Sequence, residues 1–187
     1  DMGFTEKSIW SFNDEYLLGF QLLNLPLEEV SFFFVIPYAC IFIYECVVAY
    51  RLEVYLGWLS GRLLSLIWFI ALLALILFWG NLYTGTASVT VLASIPIWML
   101  FHKRQERQQI ATGLMLSYIP FFLVNSVLTG SLTAAPIVQY NMSENMGFRL
   151  GSIPADDFLY QTGMLLSMYL IYHHFKYKKK DSKSFSF

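Results

Sequence analysis

Long apolar runs separated by short polar segments make up most of the chain. Five runs reach or approach the roughly 20 residues that an α-helix needs to cross a bilayer. They cover residues 26–50, 63–80, 87–101, 110–128 and 154–175, and the third is the shortest. The pattern predicts an all-α fold, a polytopic transmembrane helix bundle with about five spans in this chain.

The positive charges are distributed unequally between the two ends of these runs. If all five runs span, ten of the 12 Lys and Arg residues lie on the side where the first, third and fifth runs end. They are Arg51, Arg62, Lys103, Arg104, Arg107, Lys176, Lys178, Lys179, Lys180 and Lys183, against Lys7 and Arg149 on the other side. Cytoplasmic loops carry such an excess. We therefore expect a multi-pass protein of the plasma membrane, surrounded by lipid, with a cytoplasmic C-terminus.

The composition of the 187 residues agrees with a lipid environment. Hydrophobic residues make up 57% and charged residues 13%, whereas a soluble domain carries about 25% charged residues. The net charge of -1 gives no reason to expect a nucleic-acid partner. Cys40 and Cys46 lie six positions apart in one run and project in different directions, so they cannot bridge each other. No ligand spacing predicts a metal site, and no cofactor is expected.

Two acid pairs each follow a proline at the start of an apolar run. Glu28-Glu29 comes shortly after Pro26, and Asp156-Asp157 comes shortly after Pro154, at an offset of 128 residues. The same offset aligns Gly19 with Gly147, Phe20 with Phe148, Leu22 with Leu150, and Tyr44 with Tyr172. These matches outside the acid pairs favour an internal repeat over a chance similarity of two helix starts.

The repeat predicts how the spans are organised. The second copy has two runs before its acid pair, and the offset places their counterparts before residue 1, so we expect seven spans in the complete protein. The run at 63–80 then links two parallel three-helix repeats. The expected domains are the end of the first repeat at 1–61, a linker transmembrane helix at 62–85, the second repeat at 86–176 and a cytoplasmic tail at 177–187.

The acid pairs are the candidate catalytic residues: Glu28, Glu29, Asp156 and Asp157. The helix dipole favours the ionised carboxylate and burial favours the neutral acid, a competition that suits proton transfer. Adjacent residues lie about 100° apart around a helix, so one acid can face the bundle while its neighbour faces elsewhere. Arg149 could pair with either aspartate or contact lipid headgroups. The simpler interpretation, that the acids only cap their helices, stays open.

Aromatic residues follow the pairs at helical spacing. Phe32 and Phe33 lie four residues after Glu28 and Glu29, and Tyr160 takes the place of Phe32 in the second copy. Aromatic faces attract cations, so acids with aromatic walls suit carbocation chemistry on a polyene. The candidate substrate-binding residues are Phe32, Phe33, Tyr160, Asn125 and Phe148. Asn125 could instead form a hydrogen bond between helices.

Four segments resemble the small integral-membrane lycopene β-cyclases. They are WSFN at 10–13, LPLEE at 25–29, IPYACIFIYE at 36–45 and GFRLGSIPADDFLY at 147–160. This family occurs as two small subunits, as one fused chain, or as the cyclase half of bifunctional fungal phytoene synthases. Its second acid pair is commonly Glu-Asp, so the shorter Asp156-Asp157 implies a second site that is weaker or only structural.

The resemblance implies an isomerase without a cofactor. Such an enzyme would convert the linear ends of lycopene to β-rings and give γ- or β-carotene, with one acid protonating the terminal double bond and a base removing a proton after ring closure. Lycopene and other linear carotenoids would be its partners, and a homo-oligomer or an association with carotenoid-pathway enzymes stays open.

The sequence leaves one other class of function open and disfavours two. A membrane transporter or a carotenoid- or lipid-binding helical bundle is the alternative, because buried acids and parallel repeats occur there too. A retinal protein is disfavoured because no lysine lies within a run. A prenyltransferase needs paired Asp-rich motifs, which Asp156-Asp157 alone does not supply.

Overall fold

The computed structural model describes the backbone of residues 2–184 and the side chains of residues 3–176, and most of this part is helical. The helices are α1 (Met2–Glu6), α2 (Leu27–Tyr50), α3 (Glu53–Leu77), α4 (Leu82–Phe101), α5 (Arg104–Leu128) and α6 (Ala155–Ser184). The strands are β1 (Trp10–Phe12), β2 (Gln21–Leu22), β3 (Leu25–Pro26), β4 (Val138–Tyr140), β5 (Arg149–Leu150) and β6 (Ile153–Pro154).

Four of the helices, α2 to α5, are long and apolar enough to cross a membrane. The prediction of an all-α transmembrane bundle is therefore confirmed, and the chain is a membrane protein. The fifth expected span corresponds to α6, which is less apolar than the other four. No described side chain from 155 to 170 is exposed, because neighbouring protein surrounds this part of α6. A helix in such a position can carry polar residues, since few of them face lipid.

Three helices begin earlier than the apolar runs predict: α3 at Glu53, α4 at Leu82 and α5 at Arg104. The first turns of α3 and α5 contain charged residues, which the apolar runs exclude. α3 begins at Glu53, whose buried carboxylate accepts a hydrogen bond from Gln109 Nε2 at 3.1 Å. Arg62 is therefore inside a helix and not in a loop, with its guanidinium 5.0 Å from the centre of the Trp58 ring. α3 ends at Leu77 and α4 begins at Leu82, and the linker expected at 62–85 stays a prediction.

Helices α2, α4 and α6 run in the same direction. Two contacts between α2 and α6 show this: Tyr169 Oη donates to the Cys40 carbonyl at 2.9 Å, and Lys176 Nζ lies 2.5 Å from Glu45 Oε1. The residue numbers of the contacting partners increase in the same direction along both helices, as they do only when helices are parallel. The pairs Ser94–Ser167 and His102–His173 show the same order for α4 and α6. One end of the bundle therefore carries Arg51, Lys103, Arg104 and Lys176, and we call it the basic end.

A short β-hairpin precedes each acid pair at the opposite end. Strands β2 and β3 pair antiparallel, and β5 and β6 pair in the same way at positions 128 residues later. Gly19 and Gly147 both have positive φ, 82° and 70°, which glycine tolerates without strain. The local fold before the two acid pairs is thus the same. We call the end of the bundle that carries these two hairpins the hairpin end.

A two-stranded ribbon of β1 and β4 joins the two halves. Its central pair is Ser11 opposite Gln139, and these two positions are themselves 128 residues apart. Strands β1 and β4 are thus equivalent segments of the repeat that pair antiparallel with each other. Such a pairing has a local two-fold axis that passes through the Ser11–Gln139 pair. The three-helix repeats and the linker role of α3 stay predictions.

Candidate functional site

One carboxyl group from each acid pair lines a single small cavity at the hairpin end, which we call the acid chamber. The carboxyl groups belong to Glu29 and Asp157. Its aromatic walls are formed by Trp10, Phe12, Phe32, Phe33, Tyr83, Phe121, Tyr140 and Tyr160. The chamber has a volume of about 60 Å³, which is room for a few water molecules. A larger group can enter only when aromatic side chains move.

Three donors converge on the Asp157 side chain, which is 3% exposed. Tyr83 Oη donates to Oδ1 at 2.6 Å. Tyr140 Oη and Asn125 Nδ2 donate to Oδ2 at 2.8 and 3.1 Å. Hydrogen bonds to the charged form stabilise a buried carboxylate. Asn125 therefore joins α5 to α6 as a hydrogen-bonding residue and also lines the chamber, and its role in binding a substrate stays a prediction.

Tyr140 lies in strand β4, outside the membrane-spanning helices. Burial, reinforced by the neighbouring Asp157 carboxylate, raises the pKa of its phenol well above the ordinary value. A phenol with such a pKa keeps its proton at physiological pH, so Tyr140 acts as a permanent donor to Asp157.

A cluster of aromatic rings packs around the chamber on the side of Asp157. The Trp10 ring meets Tyr83 at 5.3 Å and Phe4 at 5.0 Å between centroids, edge to face. Its contacts with Tyr140 and Tyr160 are each 6.3 Å and also edge to face. Aromatic faces are electron-rich and attract a positive charge. The walls can therefore stabilise a cation close to the Asp157 carboxylate.

The first residues of the acid pairs have a different role. Glu28 Oε1 accepts the backbone N–H of Leu18 at 2.6 Å, and Asp156 Oδ2 accepts that of Met146 at 3.1 Å. These are the same hydrogen bond at equivalent positions of the two hairpins. Asp156 also accepts a hydrogen bond from the Thr84 hydroxyl of α4. Glu28 and Asp156 thus fasten each hairpin to its helix, and neither lines the acid chamber.

The other candidate residues divide between two places. Phe32, Phe33, Tyr160 and Asn125 lie in the acid chamber. Phe148 does not: its ring is 61% exposed and lines a separate groove, because it sits at the start of the second hairpin. Arg149 pairs with neither aspartate, since its Nη1 donates to the Ser152 carbonyl at 2.6 Å and its guanidinium lies over the Tyr140 ring.

The separate groove is much larger than the acid chamber and is almost wholly apolar. We call it the lateral groove. Helices α3, α5 and α6 and the second hairpin line it, and its residues include Leu63, Ile70, Leu114, Tyr118, Phe148 and Phe158. Its volume is about 540 Å³, within the range of small-molecule sites. Sequence reasoning did not predict this groove.

Sequence reasoning also missed Tyr83 and Tyr140 as site residues. The chain contains 12 tyrosines, so neither residue stands out by type. One signal was present for Tyr140, because the 128-residue offset aligns it with Phe12, which lies within the WSFN segment. Tyr83 has no counterpart within the chain, and only the packing of α4 against α6 brings it to Asp157.

These features define a polytopic helical membrane protein whose polar site is a pair of carboxyl groups, one buried and one half-buried, lined by aromatic rings. The family model described as lycopene cyclase matches residues 1–47 and 80–175, which is most of the chain. The protein therefore belongs to the lycopene cyclase family, and the family implies an enzyme of the cyclase type. Neither the comparison with curated proteins nor the comparison with solved structures gave a match.

Proposed function

We propose that this protein is an isomerase that closes the linear ends of lycopene into β-rings, giving γ- or β-carotene. The observation that carries the proposal is the acid chamber itself, in which Glu29 and Asp157 share one aromatic-walled cavity. A cyclisation that begins and ends with proton transfer needs an acid and a base within reach of one substrate end, and aromatic walls for the cation between them.

In the proposed reaction, Glu29 gives its proton to C2 of the terminal C1–C2 double bond and a cation forms at C1. The electron pair of the C5–C6 double bond forms the C1–C6 bond, which leaves the positive charge at C5. Asp157 removes the proton from C6, and that C–H electron pair restores the C5–C6 double bond within the ring. One proton is added and one removed, so the product is an isomer.

The division of roles follows from the hydrogen bonds. Asp157 accepts three of them, which favours a carboxylate that can take up a proton and stabilise the cation. Glu29 receives none of these three donors, so we assign it the role of the general acid. Return of the proton from Asp157 to Glu29 across the chamber then resets the site.

The proposed orientation places the basic end in the cytoplasm of the cell and the acid chamber near the outer surface of the plasma membrane. The positive charges at the basic end, on Arg51, Lys103, Arg104 and Lys176, support this orientation because cytoplasmic loops carry an excess of Lys and Arg. α3, which lies in the part of the chain that the family model leaves unmatched, would link the two repeats.

Pigment analysis of the full-length protein tests the proposal. Wild type, Glu29→Gln, Asp157→Asn and Glu15→Gln are expressed in a lycopene-producing bacterium, with pigments separated by chromatography and protein quantified by immunoblot. Glu15 is exposed and serves as the matched control. We expect one- or two-ring carotenoid from wild type and Glu15→Gln, and linear lycopene from the other two. Linear lycopene in every strain, together with solute movement into vesicles holding the protein, would support the transporter alternative.

A further inference from the structure

We infer that the lateral groove binds the linear polyene chain of the substrate while one end of that substrate reacts in the acid chamber. The inference rests on the proposed function, because it identifies the occupant by the reaction at its end. The two cavities differ about ninefold in volume, 540 against 60 Å³. A long substrate that reacts at one end needs a place for its remainder, and the chamber cannot supply it.

The chemistry of the groove specifies a hydrocarbon. Only Ser60 and Tyr118 bring polar side-chain atoms to its lining. Ser60 Oγ donates to the Leu56 carbonyl at 3.0 Å and lies 3.1 Å from Thr112 Oγ1, while the Tyr118 hydroxyl is hydrogen-bonded to Thr162. Both hydroxyls are therefore already engaged within the protein. A polar headgroup would lose its hydrogen bonds to water there without replacing them.

A thin aromatic wall separates the groove from the acid chamber. Phe158 lies between two residues of α5, with ring centroids 6.1 Å from Tyr118 and 5.2 Å from Phe121. Tyr118 and Phe158 line the groove, and Phe121 lines the chamber. Rotation of these rings would join the two cavities. This continuity favours the substrate's polyene over a lipid acyl chain, because only the polyene has an end that must pass the wall.

The groove is also accessible from the surface that faces lipid. Leu63 and Ile70 on α3, Phe122 on α5 and Phe148 on the hairpin all line it and are exposed. A hydrocarbon dissolved in the bilayer can thus reach the groove without crossing water.

The test fills the mouth of the groove and measures bound polyene. Ile70→Trp and Leu63→Trp place a larger side chain at partly exposed positions of α3, and Ile76→Trp is the matched control, being exposed on the same helix outside the groove. Each change is made in the full-length Glu29→Gln variant, so that the pigment stays linear. The proteins are purified from a lycopene-producing bacterium, and pigment per protein is measured by absorbance.

We expect Ile70→Trp and Leu63→Trp to lower the retained polyene about tenfold, because the larger side chain occupies the mouth of the groove, a loss of about 1.4 kcal/mol in binding free energy. Ile76→Trp should leave the retained polyene unchanged. In the active protein the same two changes should raise KM while kcat stays near wild type. Equal pigment in all three variants, or phospholipid recovered from the protein in place of polyene, would overturn the inference. A third outcome separates the two proposals: the Trp variants lower the retained polyene as expected, but the protein with Glu29 intact forms no ring. In that case the groove binds the polyene and the cyclisation proposal is wrong.

Discussion

Glu29 and Asp157 lie 128 positions apart in the chain and line the same cavity. Each is the second acid of its pair, and each is carried by a helix that follows an equivalent hairpin. The sequence interpretation treated the two pairs as separate sites, one of them weakened by shorter side chains. In the structure Glu29 and Asp157 instead line one cavity, and we propose that they form one composite site to which each half of the chain contributes one carboxyl group. Asp157, with the shorter side chain, accepts hydrogen bonds from three donors and is therefore the more firmly positioned of the two acids.

The composite site predicts non-additive losses. If Glu29 and Asp157 act in one catalytic cycle, Glu29→Gln and Asp157→Asn should each lower turnover about 10²–10⁴-fold, because each removes one proton-transfer partner. The double variant should lose little more than the worse single variant, since residues that act as a unit are not additive. Turnover is measured from pigment conversion per immunodetected protein. A double variant whose loss equals the product of the two single losses would show that the carboxyl groups act independently.

Loss of the first acid of a pair should weaken the fold more than the chemistry. Asp156→Ala leaves the Met146 N–H and the Thr84 hydroxyl without their acceptor in a buried place, at a cost of about 1–3 kcal/mol for each unsatisfied group. Glu28→Ala should cost less, because water can reach the Leu18 N–H. Thermal unfolding of the detergent-purified proteins gives the order. Equal stability of the two variants would contradict this account of the hairpins.

Much of the fold follows from the pattern of apolar residues. Four spans were predictable because a lipid-facing helix must be apolar over about 20 residues. Helix ends were less predictable, since Glu53 and Arg62 lie inside α3, where one carboxylate is hydrogen-bonded and one guanidinium covers a ring. α6 contains more polar residues than the other long helices, which is possible because neighbouring protein surrounds much of it. Hydropathy does not show whether a helix is surrounded by protein or by lipid.

The site was only half predictable for a similar reason. The 128-residue offset identifies Glu29 and Asp157 and aligns the two hairpins, because both features are local. Packing between helices that are distant in the chain decides which acid of each pair faces the interior. The same packing brings Glu29 and Asp157 to one chamber. Tyr83 reaches Asp157 from 74 positions away, and no local pattern marks such a partner.

Removal of a single donor to Asp157 should slow the reaction without abolishing it. Tyr83→Phe and Tyr140→Phe each keep the ring and delete one hydrogen bond to a carboxylate, an interaction of about 1.5–3 kcal/mol. We expect turnover to fall roughly tenfold to a hundredfold in each variant, which follows from that energy. Tyr38→Phe is the control, since Tyr38 is exposed on α2. If both variants match Tyr38→Phe in pigment conversion, the two phenols have no part in the chemistry.

The proposed orientation predicts which positions a membrane-impermeant maleimide can reach. In a Cys40→Ala, Cys46→Ala background, we expect Ala134→Cys at the hairpin end to be labelled in intact cells. Tyr50→Cys at the basic end should be labelled only after permeabilisation. Both positions are exposed, so a failure to react reports the membrane and not burial. Labelling in the reverse order would place the acid chamber on the cytoplasmic side and refute the orientation.

The close approach of α4 and α6 depends on Gly163. A Cβ atom at this position would lie 2.8 Å from Thr90 Cγ2 and 3.0 Å from Thr90 Cβ, closer than van der Waals contact allows. Gly163→Ala should therefore force the helices apart and cost about 1–3 kcal/mol, as overpacking does elsewhere. Because α4 carries Tyr83, the shift should also lengthen its hydrogen bond to Asp157 and lower turnover. Thr90→Ala removes the nearest atom, Cγ2, so the Gly163→Ala, Thr90→Ala double variant should recover part of the lost stability and part of the lost turnover. Gly85→Ala is the control, because a Cβ atom at Gly85 on α4 meets nothing within 4 Å and should not push the helices apart. Thermal unfolding and pigment conversion of the four proteins test the coupling. Full stability of Gly163→Ala would mean that the two helices do not need this contact.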